Sequence, residues 1–76
     1  MADEISTVMA SCQGKSVLLR LRNTKTIQGI LIDFDIHMNL TLENAEDISD
    51  EKHIGLGKIL LRGDNILAIS LPADKS

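Results

Sequence analysis

Two short segments of this 76-residue chain concentrate the side chains that could bind a ligand. Residues 33–39 supply His37 and Asn39, and residues 62–65 supply Arg62. An imidazole and a guanidinium can sandwich a flat ring, while an amide hydrogen-bonds to the edge of a nucleic-acid base. If the fold brings the two segments together, they predict a binding site for a base.

Catalysis and metal binding are weaker interpretations of the same side chains. Asp33 and Asp35 share a strand face, but nothing marks either as a general acid. A metal site made of His37 with Asp35 or Asp64 lacks any established spacing. A role for Asp35 and Asn39 in satisfying the backbone of a tight turn stays open, because Asx side chains often do this. We expect no catalytic residue, no metal and no cofactor.

The elements that must position these side chains are one helix and several short strands. Residues 3–12 predict the helix, with Asp3 as N-cap, apolar residues from Ile5 onwards at helical spacing, and Gly14 at its end. Alternation with a period of two then predicts five strands, and residues 46–53 form an acidic hairpin tip. The strands are predicted at residues 16–22, 26–35, 38–45, 56–62 and 65–71, followed by a short C-terminal tail.

Gly29 lies in the middle of the second predicted strand, which carries apolar residues on both faces. A glycine inside a strand marks a sharp bend or a close approach of two backbones. We therefore expect a mainly β fold with a short N-terminal helix on a strongly bent, five-stranded antiparallel small barrel. Residues 1–76 are expected to form a single domain.

Composition indicates that this small fold is stabilised by assembly. The chain is 43% hydrophobic, but so short a domain usually needs a disulfide, a metal or oligomerisation. The single cysteine, Cys12, excludes an internal disulfide and is expected to pack in the core, and His53 is expected in a solvated loop. Residues 65–71 carry no charge and no proline, so as a free edge they would pair with another subunit. Head-to-tail pairing of this kind produces a ring or a filament.

The sequence also limits where the protein acts and how it meets an anion. No apolar run is long enough for a signal peptide or a membrane span, so we expect a soluble, cytoplasmic protein with no membrane partner. The formal net charge is −3, and residues 33–51 contain acids but no lysine or arginine. An anionic ligand must therefore meet a local positive site.

The two polar segments match the motifs of a known family. The chain resembles the Sm-like (LSm) proteins over nearly its full length, and the archaeal branch most closely. The first Sm motif corresponds to Gly29-x-Leu31-x-x-x-Asp35-x-x-Met38-Asn39, and the second to Leu61-Arg62-Gly63-Asp64-Asn65-Ile66.

This resemblance implies a ribonucleoprotein component rather than an enzyme. Such proteins form homo-oligomeric rings, commonly of seven subunits, in which the fourth strand of one subunit pairs with the fifth strand of the next. The rings bind uridine-rich single-stranded RNA at the inner pore and act in RNA processing or as RNA chaperones. No DNA partner is expected.

The resemblance also implies roles for individual residues. His37 and Arg62 would stack on the base or flank it, and Asn39 would hydrogen-bond to the edge of that base. Asp35 would hold Asn39 in place. Phe34 is the sole aromatic residue, so stacking must depend on His37 and Arg62.

The second turn would complete the wall of the site with Gly63 and Asp64. Because the chain is acidic, one alternative stays open: a structural or protein-interaction ring of the same fold with weak RNA binding. Binding to oligo-U compared with oligo-A and oligo-C distinguishes the two functions.

Overall fold

The computed structural model describes residues 4–71, with side chains from residue 7 onwards. Within this range one helix precedes five strands, and a 3-10 turn, Gly63–Asn65, joins the last two strands. The predicted N-cap Asp3, the side chain of Ile5 and the predicted tail after residue 71 lie outside the described residues. The elements are α1 (Glu4–Ser11), β1 (Ser16–Leu21), β2 (Thr26–Phe34), β3 (Leu40–Asp47), β4 (Ile54–Leu61) and β5 (Ile66–Ser70).

The five strands form one antiparallel sheet in the order β4-β3-β2-β1-β5. The last two strands of the chain are therefore not neighbours, and each lies at an edge of the sheet. Irregularities in register interrupt the β1–β5, β2–β3 and β3–β4 pairs, as in sheets that bend strongly. The predicted architecture, a short helix before five antiparallel strands in a bent sheet, is confirmed.

Gly29 permits the bend of β2 against β3. A Cβ atom at this position would lie 3.2 Å from the Cα atom of Ala45 and 3.2 Å from the Cβ atom of Leu42. Those distances are too short for ordinary packing, so the absence of a side chain lets the two strands approach. The close approach predicted from the sequence is confirmed.

The core lies between α1 and the inner faces of the first three strands. Inward residues of the strands alternate with exposed ones, as the period of two predicts. Cys12 is buried, which confirms its packing role. The buried apolar residues are Met9, Cys12, Val17, Leu19, Leu21, Ile27, Leu31, Leu40, Leu42 and Ala45.

Strand limits differ from the prediction on both sides of β3. Residues 38–45 were predicted as strand, but Met38 has a φ of +63° and belongs to the preceding turn. At the other end β3 continues to Asp47, which pairs with Ile54 at the start of β4. The predicted acidic tip is therefore shorter, because its first residues form a ladder of backbone hydrogen bonds. Across residues 4–71, no helix has the length and apolar character needed to cross a membrane.

Candidate nucleic-acid interface

The turn between β2 and β3 is organised by the carboxylate of Asp35. Its Oδ1 atom accepts hydrogen bonds from the backbone N–H groups of His37 (2.9 Å) and Asn39 (3.0 Å). Its Oδ2 atom accepts a third from the side-chain amide of Asn39 at 3.0 Å. Asp35 therefore closes the turn and fixes the Asn39 side chain, so the turn-supporting role left open by the sequence is present.

These hydrogen bonds hold the pKa of Asp35 below the ordinary value of an aspartate. The N–H group of Asn39 contributes most, partial desolvation opposes it, and the Asn39 amide, the His37 N–H and the charge of a protonated His37 ring add to the lowering. Asp35 is therefore ionised at neutral pH and acts as an acceptor in the turn.

Met38 makes the sharp reversal between His37 and Asn39. Its φ of +63° lies in the left-handed region, which costs an ordinary residue about 1 kcal/mol. The half-buried Met38 side chain packs against the core, and its N–H group donates to the Asp35 carbonyl at 3.0 Å. Packing and hydrogen bonding together hold the strained residue in place.

The second turn contacts the first directly. The N–H group of Gly63 donates to the side-chain oxygen of Asn39 at 2.8 Å. A Cβ atom at Gly63 would clash with the carbonyl oxygen of His37 and lie 2.9 Å from that of Met38, so only glycine fits between the turns. The two segments singled out in the sequence therefore meet in the fold.

An open cavity of about 570 Å³, here called the paired-turn cleft, lies where the turns meet. Within the cleft the Arg62 side chain is 78% exposed, and its Nε atom lies 3.7 Å from Oδ1 of Asp64. Asp35 does not line the cleft and is connected to it through its hydrogen bond with the Asn39 side chain. The lining residues are His37, Met38, Asn39, Arg62, Gly63 and Asp64.

The amide of Asn39 retains hydrogen-bonding capacity after its contacts within the protein. A side-chain amide offers two N–H donors and two acceptor lone pairs. One donor is used by Asp35 and one lone pair by Gly63, so one donor and one acceptor remain. Because both partners are fixed, the orientation of the amide is fixed as well.

Sequence reasoning missed two contributions to the cleft. The left-handed conformation of Met38 has no signature in its residue type, since methionine rarely adopts it. Arg22, the residue that follows β1, contacts the second turn through its backbone and its side chain. Nothing in the sequence around Arg22 indicates this long-range contact.

Other candidate residues lie apart from the cleft. His53 has an exposed side chain 3.9 Å from the carboxylate of Glu46, in agreement with its assignment to a solvated loop. Among residues 4–71, no group of three or more His, Cys, Asp or Glu side chains is arranged to hold a metal ion.

Known proteins resemble this chain in both sequence and structure. A family model for the LSM domain matches residues 7–71. An snRNP Sm-like protein of Thermococcus onnurineus is 43% identical over 75 residues, covering 97% of this chain and 95% of that protein. The matched region includes all five strands and both turns of the cleft.

Two solved structures share the arrangement of strands. The SmAP1 heptamer of P. aerophilum has a TM-score of 0.89 at 38% identity, covering 97% of this chain and 100% of that chain. An Sm protein of Pyrococcus abyssii, solved in complex with a uridine heptamer, has a TM-score of 0.84 at 39% identity. That match covers 92% of this chain and 100% of the Pyrococcus chain.

Proposed function

This chain belongs to the family of LSM domain proteins, and we propose that it forms a ring that binds uridine-rich single-stranded RNA. The observation that carries the proposal is the hydrogen bond between Gly63 and Asn39, which joins two turns into one cleft. A related protein of known structure was solved with a uridine heptamer, which supports the choice of base.

In the proposed complex one uracil enters the paired-turn cleft of each subunit. His37 and Arg62 flank the ring of the base from the two turns. The free N–H group of Asn39 donates to a uracil carbonyl oxygen, and its free lone pair accepts the N3–H group. Gly63 and Asp64 form the wall, and Asp35 positions Asn39 without touching the base.

The fixed amide also accounts for selectivity between pyrimidines. Uracil presents an N3–H donor beside the O4 acceptor, whereas cytosine in the same place presents an N3 acceptor beside an amino donor. Asn39 cannot rotate its amide to suit cytosine without losing its bonds to Gly63 and Asp35. A base that covers the amide without pairing with its donor and acceptor leaves polar groups unsatisfied, which is costly, so cytosine is disfavoured.

The two edges of the sheet support a ring. Leu60 on β4 is 70% exposed and Leu67 on β5 is 63% exposed, and each lies in a strand at an edge of the sheet. An apolar groove of about 450 Å³ also lies between α1 and β5. Pairing β4 of one copy with β5 of the next would cover these surfaces, and a repeated head-to-tail contact forms a ring when its rotation closes. We propose seven subunits, as in the heptameric relative.

The same comparison supports the remaining parts of the proposal. Residues 1–76 would act as one LSM domain, non-catalytic and cytoplasmic, in RNA processing or as an RNA chaperone. The family match over residues 7–71, which covers the strands and the cleft, supports this assignment.

The RNA-binding function is tested by fluorescence anisotropy with labelled oligo-U, oligo-A and oligo-C over a salt series. We expect tight binding of oligo-U and weak binding of the other two. Arg62→Ala should weaken oligo-U binding strongly, because stacking is worth roughly 1–3 kcal/mol per base and the ring repeats the site. Arg62→Lys should restore part of the affinity, because it keeps the charge without the planar group. Equal affinity for the three oligomers would contradict the proposal and favour a protein-binding ring.

Assembly is tested by native mass spectrometry of the wild type and of Leu67→Glu. The wild type should give a single ring mass, and Leu67→Glu should give folded monomers, since Leu67 is exposed in the isolated subunit. Circular dichroism checks that the variant retains its strands. A monomeric wild type at micromolar concentration would contradict the ring.

A further inference from the structure

Arg22 contacts the second turn of the cleft at residues other than the one that Asn39 contacts. Its backbone N–H group donates to the carbonyl oxygen of Asn65 at 2.9 Å. Its side-chain Nε atom donates to the carbonyl oxygen of Asp64 at 2.8 Å. The 3-10 turn is therefore held at its first residue by Asn39 and at its last two by Arg22.

A break in strand register directs Arg22 to this position. The pairing of β1 with β5 shifts between Arg20 and Leu21, after which Leu21 pairs with Ile66. Irregularities of this type often re-aim the side chains that follow them. Without the shift, Arg22 would lie opposite Ile66, the first residue of β5; with it, Arg22 lies beside Asn65, the last residue of the turn.

We propose that Arg22 is a positioning residue for RNA binding, which sets the place of Arg62 and Asp64 in the cleft. This inference rests on the proposed function. Asp64 lies in the 3-10 turn that Arg22 holds, and Arg62 directly precedes that turn. The Nε atom of Arg62 lies 3.7 Å from Oδ1 of Asp64. Fixing the Asp64 carbonyl holds the backbone from which both side chains extend before RNA arrives, which lowers the ordering cost of binding.

Two neighbouring positions allow the hydrogen bond to be separated from the charge. Arg20 is exposed and carries the same charge, and within residues 7–71 its side chain makes no hydrogen bond or ion pair. Glutamine at position 22 places its Nε2 atom the same number of bonds from the backbone as the arginine Nε atom. Arg22→Gln therefore keeps the donor and removes the charge, whereas Arg20→Ala removes a charge without touching the turn.

The experiment measures oligo-U affinity of full-length Arg22→Ala, Arg22→Gln and Arg20→Ala rings over a salt series. Arg22→Ala should bind about tenfold more weakly than the wild type, as expected for one lost charge-assisted hydrogen bond. Arg22→Gln should recover most of the affinity, and Arg20→Ala should stay near the wild type. The slope of log affinity against log salt should be the same for Arg22→Ala and the wild type, because a positioning residue contacts no phosphate.

Several results would overturn the inference. Equal affinities of Arg22→Ala and Arg20→Ala would show that only net charge matters. Failure of Arg22→Gln to recover, together with a salt slope lower by about 1, would instead make Arg22 a phosphate contact. If Arg22→Ala loses the ring, Arg22→Gln alone decides between these outcomes. A wild type without preference for uridine would refute the proposed function itself, whereas these results leave it standing.

Discussion

Strand β3 is flanked by two turns that share a design and differ in use. Asp35 before the strand accepts hydrogen bonds from His37 and Asn39. Asp47 at the end of the strand accepts hydrogen bonds from the N–H group of Ser49 (3.0 Å) and its hydroxyl (2.6 Å), and forms an ion pair with Lys25 at 3.3 Å. In both turns a carboxylate gathers local donors.

The two turns differ in the part of the chain to which each is hydrogen-bonded. The Asp35 turn connects to Gly63 through Asn39 and leaves an imidazole, an amide and a guanidinium around an open cleft. The Asp47 turn connects to the start of β2, where the Thr26 N–H group donates to the Ser49 hydroxyl at 2.8 Å. A hydrogen-bonded aspartate therefore indicates a fixed turn, and only the surrounding side chains indicate a binding site.

The largest effect is expected where the two turns of the cleft meet. Gly63→Ala should abolish oligo-U binding, because the new methyl group meets the backbone of His37 and Met38, which cannot move aside without opening the first turn. Gly55→Ala is the matched control at the opposite end of β4, where the methyl group enters open space. Anisotropy with oligo-U, with ring mass as a check, compares the two variants. Equal oligo-U affinities of the two variants would show that binding does not depend on the contact between the two turns at Gly63.

The next effect concerns selectivity. Asn39→Ala should weaken oligo-U binding roughly ten- to a hundredfold per site, as expected when a base loses an amide partner with a donor and an acceptor. Residual binding to oligo-A and oligo-C should change less, because these bases do not fit the fixed amide. Competition binding with the three oligomers measures the change. Equal losses for all three would mean that Asn39 only supports the turn.

Replacing each of the two aspartates by alanine tests the comparison of the two turns directly. Asp35→Ala should weaken oligo-U binding about tenfold, since Asn39 is no longer oriented. Asp47→Ala should lower the melting temperature but leave affinity close to the wild type, because its partners lie away from the cleft. Melting curves and anisotropy on both variants provide the data. If Asp47→Ala lost as much oligo-U affinity as Asp35→Ala, the two turns that flank β3 would not be independent.

The smallest effect concerns stability in acid, where the turns at the two ends of β3 should behave alike. Hydrogen bonds from Ser49, and then Lys25, lower the pKa of Asp47, as Asn39 above all lowers that of Asp35. A carboxylate with a lowered folded-state pKa stabilises the protein above its unfolded pKa, about 3.9, and this stabilisation is lost as the pH falls through the lower folded value.

Above about pH 5 the titration of these two carboxylates should therefore not change the melting temperature, and in stronger acid it should lower it. Asp35→Asn and Asp47→Asn should each show a shallower acid decline than the wild type. Melting curves between about pH 2 and pH 7 test this. Identical slopes for the three proteins would show that neither carboxylate is linked to folding.

Local patterns predicted the fold well, whereas the site also depends on long-range contacts. Alternation revealed the strands, and Gly29 revealed the bend, because both signals arise from neighbouring residues. The continuation of β3 to Asp47 was missed, since acidic residues at a strand end resemble a solvated loop. From the residues alone the meeting of the two turns was only a condition, and the resemblance to the Sm-like proteins implied it. The hydrogen bond from Arg22 to Asp64 joins residues 42 apart and has no local signal.

The central claim, that the paired-turn cleft holds uracil, is tested most directly by photo-cross-linking. Oligo-U carrying 4-thiouridine is bound to the wild-type protein, irradiated and digested, and the modified peptides are located by mass spectrometry. Cross-links are expected in the peptides that contain residues 35–39 and 62–65. Cross-links confined to residues 48–53, at the other end of β3, would contradict it.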